Sequence, residues 1–419
     1  MASLLVLLSL LSLLALVVPI PRSTVFPILT HAVAFSIPIL FRQCSRRRQR
    51  RAASRATTGS GEYGTETTGL YGLDHAVLNA RLKFPPDKMW MNMGYWRDAT
   101  ELPEACEALV ERILQSAGLL NQMRENYELP GRKNSGLVKR VLLDLGFGCG
   151  EQTLYLMNRT FTGTVDTKGD RQENMPASLF QRYVGITLDK TQYEFANSRV
   201  TASRHHDGEN GRCSNQTRPH GPETVQLFCG DAANPSSWSS ELRQAIDIAF
   251  AQEKEQHGNH PINTERYVLA LDTAYHFRPS RRDIFRYTHS VLHAHFLAFD
   301  IFLAAPSSRL RSVLNNLLLR LLTPSLSAPF SNFVTPTTYK SQLRDAGYAE
   351  ENIMIEDITE HVFPGLADFL ERKDQQLISF GLSGFSKWRI SGWLFRWLSS
   401  GGILRAGIVV AKWAGKTQD

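Results

Sequence analysis

The sequence predicts a doubly wound α/β fold, in which helices cover both faces of a largely parallel sheet. Short apolar runs alternate with helical patterns along most of the chain, and polar stretches separate them. The length of 419 residues also exceeds what one core usually needs, so we expect one main domain with appended segments. The predicted strands lie near 141–145, 183–188, 225–231, 267–272, 295–301, 353–358 and 407–411.

The first predicted strand leads into a glycine-rich turn. Apolar residues precede Asp144, and Gly146, Gly148 and Gly150 follow at every second position before a helical pattern begins. Glycine has no Cβ, so it permits left-handed turns and lets the backbone approach a ligand closely. The first turn of the following helix offers free N–H groups. A purely structural strand-to-helix turn would also use glycine, so the meaning of this turn depends on the later motifs.

Composition and charge limit the classes of protein. Hydrophobic residues make up 42% and charged residues 21% of the chain, which is ordinary for a globular protein. The net charge of +7 is largely local, because seven arginines without an acid lie at 42–55. The remainder is near neutral, so the sequence does not predict a nucleic-acid-binding surface. The five cysteines are scattered without a CxxC pair, which favours reduced thiols in a cytosol-facing domain.

The N-terminus is mostly apolar, in two runs at 4–20 and 25–41. A membrane helix needs roughly 20 apolar residues, so either run alone is marginal. The arginines follow these runs, and the positive-inside rule then holds the downstream domain in the cytosol. We expect a membrane anchor, with the endoplasmic reticulum as its location. A cleaved secretory signal and a removed organelle-targeting presequence are the alternatives.

Four motifs follow one another at the ends of predicted strands. They are Asp144-x-Gly146-x-Gly148-x-Gly150, the run 185–192, the run 230–232 and the run 271–277. Together they resemble the S-adenosylmethionine-dependent methyltransferases of the Rossmann-like, seven-stranded type, over about residues 88–411. The run 185–192 resembles the G-x-T-L-S-x-x-Q pattern of the lipid branch. Within the superfamily the chain is most similar to sterol and tocopherol methyltransferases, cyclopropane fatty acid synthases and macrolide sugar O-methyltransferases.

The resemblance implies a seven-stranded sheet whose last strand is antiparallel, with S-adenosyl-L-methionine as the cofactor. It also implies the roles of individual residues. Thr187 and Gln192 would meet the ribose hydroxyls, Asp231 would accept from the adenine amino group, and Asp272 would orient the cofactor or a base. Tyr95 and Trp96 would close over the cofactor. The remaining residues expected at the cofactor are Asp144, Gly146, Gly148, Gly150 and Gln152.

His276 is the candidate catalytic base, with Tyr275 beside it. A histidine titrates near neutral pH, which suits proton removal from an oxygen nucleophile. The other interpretation is a histidine that only closes the pocket or packs on Tyr275. His289, His293 and His295 do not have the spacing of metal ligands, so we expect them to be structural and expect no metal site.

Two apolar features have two possible interpretations. They are the helical pattern at 310–322 and the tryptophans Trp388, Trp393 and Trp397. Each either packs on the core or faces a hydrophobic substrate or a membrane surface.

The chain divides into six predicted segments. They are an anchor or targeting region at 1–55, a linker at 56–72, an N-terminal helical flap at 73–135, a cofactor-binding core at 136–304, a helical cap at 305–340, and the C-terminal part of the methyltransferase domain at 341–419.

The leading hypothesis is a membrane-associated methyltransferase that acts on oxygen or carbon of a hydrophobic small molecule, such as a lipid, an isoprenoid or a secondary metabolite. A protein or RNA methyltransferase is the runner-up. RNA binding calls for a basic surface with stacking aromatics, whereas the arginines here form an isolated tail. A cofactor-binding pseudoenzyme tethered to a membrane is the third hypothesis.

Overall fold

The computed structural model describes residues 88–120, 138–158, 160–164, 174–209, 224–251, 256–257, 260–261, 263–305, 319–320, 328–379, 386–401 and 403–415. The predicted anchor at 1–55, the linker at 56–72 and most of the helical pattern at 310–322 lie outside these residues. Every helix in the described ranges is too short or too polar to span a bilayer.

The main sheet has seven strands, as predicted, and helices cover both of its faces. The strands are β1 (Val138–Leu145), β2 (Arg182–Thr187), β3 (Val225–Cys229), β4 (Asn263–Leu271), β5 (His295–Leu303), β6 (Ile353–Asp357) and β7 (Leu404–Ala411). Parallel pairing joins β1 to β2 and β4, β2 to β3, and β4 to β5, whereas β7 runs antiparallel to both β5 and β6. The spatial order is β6-β7-β5-β4-β1-β2-β3.

Eight helices are fully bounded in the described part of the chain. Local sequence sets several of their ends: Ser239 caps one N-terminus by accepting from Leu242 N at 3.2 Å, and Thr335 caps another through Thr338 N at 3.3 Å. The helices are α1 (Leu102–Ser116), α2 (Glu151–Asn158), α3 (Lys190–Glu209), α4 (Ser240–Phe250), α5 (Arg282–Ser290), α6 (Pro336–Ala346), α7 (Phe363–Ser379) and α8 (Ser386–Gly401).

Two short antiparallel hairpins lie in polar stretches between the predicted strands. One joins Thr160–Thr164 to Asn174–Ser178, and the other joins Gln256–His257 to His260–Pro261. They form separate two-stranded sheets, so they lengthen connections without adding strands to the main sheet.

The core has two parts, one on each face of the sheet. Alternate residues of β1 divide between them: Leu142 packs with α1, α7 and α8, whereas Val141 and Leu143 pack with α4, α5 and α6. Burial on both faces explains why this strand is a nearly continuous apolar run. Trp388 is buried in the first part, whereas Trp393 keeps 36% of its surface exposed and stacks on Trp397. The tryptophans of α8 therefore divide between core and surface.

Candidate functional site

The connection from β1 to α2 contains three glycines in the left-handed region. Gly146, Gly148 and Gly150 have φ values of 92°, 61° and 82°. A Cβ at Gly146 would lie 2.6 Å from Thr273 Oγ1, and one at Gly150 would lie 2.8 Å from Ala196 Cβ. Gly146 therefore lets this glycine loop contact the turn after β4, and Gly150 lets it pack on α3. Gly148 has more space, since its nearest neighbour would be Met91 Sδ at 3.4 Å.

Asp144 and Gln152, both predicted at the cofactor, are hydrogen bonded to each other. Gln152 Nε2 donates to the two carboxylate oxygens at 2.8 and 2.6 Å, and the Tyr183 hydroxyl donates to Oδ2. Burial raises the pKa of Asp144 to about 6, and these hydrogen bonds oppose the shift. The buried carboxyl group thus ties β1 to β2 and to the start of α2. Direct contact of either residue with a cofactor stays a prediction.

An irregular segment at 88–96 covers the glycine loop. Met89 N donates to Glu151 Oε2 at 2.9 Å, and Met91 is the side chain that approaches Gly148. Arg199 of α3 pairs with the same Glu151 oxygen at 2.6 Å. Met91, Glu151 and Arg199 were not among the residues predicted at the site. The sequence offered one signal for Glu151, which is an acid directly after the glycine loop. An acid at a helix N-terminus is favourable because of the helix dipole, and its carboxylate can also accept hydrogen bonds from neighbouring segments.

Tyr95 and Trp96, predicted to close over the cofactor, both contact the connection after β6. The Tyr95 ring packs edge-on against His361 at 5.0 Å between centroids. Trp96 is buried against Phe369 of α7, and its indole N–H donates to Met93 O at 2.8 Å. The pair anchors the covering segment to the core, and their contact with a cofactor stays a prediction.

The predicted ribose and adenine residues lie at or beyond the carboxyl ends of β2 and β3. The Thr187 hydroxyl donates to Gln192 Oε1 at 3.1 Å, so these two predicted partners are brought together. Asp231 accepts from Ala233 N at 2.9 Å in a tight turn. Because β1 to β4 are parallel, their carboxyl ends meet at one edge of the sheet, where ligands of open α/β sheets bind.

The turn after β4 carries the candidate catalytic residues. Asp272 has a φ of 57°, which is unusual for a residue with a side chain, and only 7% of its surface is exposed. The Tyr275 hydroxyl donates to Asp272 Oδ1 at 2.7 Å, and Oδ2 has no hydrogen-bond partner among the described residues. His276 packs against Tyr275 with 4.1 Å between ring centroids. The structure thus brings together Asp272, Tyr275 and His276, and Gly146 contacts the same turn through Thr273.

The three histidines predicted to be structural pack on aromatic side chains. His289 lies against Tyr348, and His293 against Trp413, whose backbone N–H donates to His295 Nδ1 at 3.0 Å. In the ranges that the structure describes, no three His, Cys, Asp or Glu side chains form a metal-binding group.

Burial raises the pKa of Asp272 to about 8, against the opposing hydrogen bond from Tyr275. A raised folded-state pKa contributes stability that is complete below the ordinary carboxyl pKa and is lost as pH rises through about 8. Asparagine mimics the protonated acid, so Asp272→Asn should gain stability relative to wild type as pH rises. We expect the difference in unfolding free energy to grow by more than about 1.4 kcal/mol between about pH 5 and about pH 9.

Urea unfolding at three pH values measures this difference. Asp283→Asn is the control, because Asp283 is well exposed on α5 and its replacement should show a much smaller trend. An Asp272→Asn difference that stays constant with pH would contradict the assignment.

Comparison with known proteins adds similarities to solved structures. No family model and no curated protein matches the chain. A mycolic acid cyclopropane synthase is 14% identical and has a TM-score of 0.46, with coverage of 81% of this chain and 100% of that one. A cyclopropane synthase from Mycobacterium tuberculosis is 14% identical, with a TM-score of 0.43 and coverage of 77% and 90%.

A third similar structure is the geranyl diphosphate C-methyltransferase from Streptomyces coelicolor A3(2), in complex with Mg²⁺, geranyl diphosphate and S-adenosyl-L-homocysteine. It is 13% identical and has a TM-score of 0.43, with coverage of 83% of this chain and 99% of that one. The fold assignment itself rests on the strand order and register: a Rossmann-like α/β sheet with an antiparallel last strand.

Proposed function

We propose that this protein is an S-adenosylmethionine-dependent methyltransferase whose acceptor is a hydrophobic small molecule: a lipid, an isoprenoid or a secondary metabolite. One observation carries the proposal. The left-handed Gly146 contacts Thr273, so the glycine loop and the turn with Asp272, Tyr275 and His276 meet at the carboxyl edge of the sheet. A cofactor held on the loop would therefore lie beside the candidate base.

The described residues fit the cofactor in charge and space. Among the described residues, Asp272 Oδ2 is a buried carboxyl oxygen without a hydrogen-bond partner. The positive sulfonium and amino groups of the cofactor would favour the charged form of this carboxyl group and lower its raised pKa. Gly148 leaves room where a side chain would occupy the loop. When bound, the cofactor supplies an activated methyl group. We assign its amino acid end to the loop at 146–150, its ribose to Thr187 and Gln192, and its adenine to Asp231.

In this proposal the protein positions the cofactor and the acceptor and supplies one proton acceptor. Met91 and the segment around it exclude water from the glycine loop, and Glu151 holds that segment in place. His276 accepts the proton from an acceptor hydroxyl, while Tyr275 keeps the imidazole in place by packing on it. Alignment of the acceptor with the methyl carbon supplies much of the acceleration.

His276→Ala tests the proposed base. We expect turnover to fall by roughly 100-fold or more, because general base catalysis contributes about that much. Cofactor affinity, measured by calorimetry, should be retained, since the loop and Asp272 are unchanged. His289→Ala is the matched control, because His289 packs on Tyr348 near the end of α5 and is not in the turn after β4. Unchanged turnover in His276→Ala would eliminate the catalytic role.

The proposal of a hydrophobic acceptor is supported by the apolar character of the N-terminus, together with the exposed Trp393 on α8.

We propose that residues 1–41 anchor the protein in a membrane with the main domain in the cytosol, at the endoplasmic reticulum. Cell fractionation of the full chain and of a chain that starts at Ala52 tests the anchor. Equal distribution of the two between membrane and supernatant would contradict it.

The methyl transfer itself is tested with a methyl-labelled cofactor and a cell extract divided into solvent-soluble, protein and RNA fractions. We expect label in the solvent-soluble fraction. Label confined to the protein or the RNA fraction would indicate the runner-up function. Saturable cofactor binding without any transfer would indicate a pseudoenzyme, and a chain that binds no cofactor would contradict the proposal as a whole.

A further inference from the structure

The turn that contains the proposed base is hydrogen bonded to Asn332, a residue of the predicted cap. Asn332 lies in a short helical turn at Phe330–Asn332 and is 2% exposed. Its side-chain amide donates to Tyr275 O at 3.1 Å and to Phe277 O at 2.7 Å. These are the carbonyls on either side of His276. Both amide protons of Asn332 are therefore used to fix the two residues next to the proposed base.

Asn332 is itself fixed by a buried ion pair. Its backbone carbonyl accepts from the guanidinium of Arg281, which also pairs with Asp300 in β5. Arg281 and Asp300 have 1% and 0% of their side-chain surface exposed. The Tyr339 hydroxyl donates to Asp300 Oδ2 at 2.9 Å, and the Arg281 guanidinium lies 4.6 Å from the centre of the Tyr339 ring. Asp300, Arg281 and Asn332 thus connect the central sheet to the turn.

The backbone of the turn around His276 needs hydrogen-bond partners from another part of the chain. Tyr275 and Phe277 are buried, and a buried carbonyl without a hydrogen-bond partner is destabilising. The short helical turn at Ala274–His276 has only three residues, so it has little regular structure to hold its direction. A misplacement of about 1 Å can reduce catalysis about 100-fold, so orientation of this turn matters for transfer.

We infer that Asn332 is a positioning residue for the methyl transfer, which holds His276 in place through the carbonyls of Tyr275 and Phe277. The inference rests on the proposed function. Asn332 lies in 328–340, a described part of the predicted cap, so this part of the chain and the turn with the base form one hydrogen-bonded unit.

Asn332→Leu tests this role in the full-length protein, since it removes both donors at similar volume. We expect the rate at which label is transferred to the solvent-soluble fraction, at saturating cofactor and equal enzyme concentration, to fall about 100-fold. Cofactor affinity by calorimetry should stay within about threefold, because the lost contacts position the base and do not bind the cofactor. Asn332→Ser, which keeps a single short donor, should show a smaller loss of the same kind and serves if the leucine variant does not fold.

Tyr339→Phe is the matched control. It removes a hydrogen bond from the same buried network but keeps the ring on Arg281 and both contacts from Asn332 to the turn. It should lower thermal stability while leaving the rate of label transfer within about twofold of wild type. If the rate of label transfer falls only in proportion to the loss of stability in the Asn332 variants and in Tyr339→Phe alike, Asn332 is merely structural and the inference is wrong.

Hydrogen exchange provides a readout that needs no acceptor. With saturating S-adenosylhomocysteine, amides at 273–278 should exchange faster in Asn332→Leu and Asn332→Ser than in wild type, and should be unchanged in Tyr339→Phe. Equal exchange in all four proteins would overturn the inference. A wild-type chain that binds no cofactor contradicts the proposed function instead, and the same exchange comparison without ligand then decides whether Asn332 holds the turn.

Discussion

Replacement of Gly148 by arginine should abolish saturable binding of S-adenosylmethionine while the sheet still folds. A side chain at this position projects from the part of the glycine loop that faces Met91. A Cβ there would already lie 3.4 Å from Met91 Sδ, in van der Waals contact, so an arginine has no room beside a ligand. We expect the affinity to fall by at least about 100-fold, which corresponds to about 2.8 kcal/mol of binding free energy. Isothermal calorimetry with the cofactor measures this loss.

Gly118→Arg is the control for backbone strain. Gly118 also has a positive φ, of 82°, but nothing lies within 4 Å of a Cβ added there. Both variants therefore place the same side chain in the left-handed region, at a cost of about 1–2 kcal/mol. Only Gly148→Arg should lose cofactor binding. Equal binding by the two variants would show that the cofactor does not occupy the glycine loop.

Replacement of Asp300 by alanine should produce the largest loss of stability among these variants. It leaves the guanidinium of Arg281 buried without its counter-ion and removes the acceptor of the Tyr339 hydroxyl. Removal of one member of a buried ion pair costs about 3–5 kcal/mol. Urea unfolding followed by circular dichroism measures the change. Glu350→Ala, which breaks the exposed pair with Arg344, should cost less than about 1 kcal/mol.

The double variant Arg281→Met with Asp300→Leu separates two explanations of such a loss. If the cost comes from an uncompensated buried charge, removal of both charges should be less destabilising than Asp300→Ala alone. If the double variant is instead as unstable as the sum of the two single variants, the residues contribute independently and the ion pair is not the cause.

The sequence by itself determined the class of the fold and the position of the glycine loop. Alternation of apolar runs and helical patterns identified all seven strands of the sheet, because burial on both faces of a parallel strand leaves a local pattern. The glycine loop was also visible, since positive φ favours glycine at Gly146, Gly148 and Gly150. Strand ends were less accurate: β4 begins at Asn263 and β7 at Leu404, before their apolar stretches.

Only the tertiary structure decided the partners of the polar residues. Asp144 meets Tyr183, 39 residues away, and Glu151 meets Met89, 62 residues away. Asn332 reaches Tyr275 across 57 residues of sequence. Hydrophobic periodicity reports which face of an element is buried, but a polar side chain finds its partner through the packing of distant elements. The sequence therefore indicated where the glycine loop and the proposed base lie, and the packed sheet determined what holds them together.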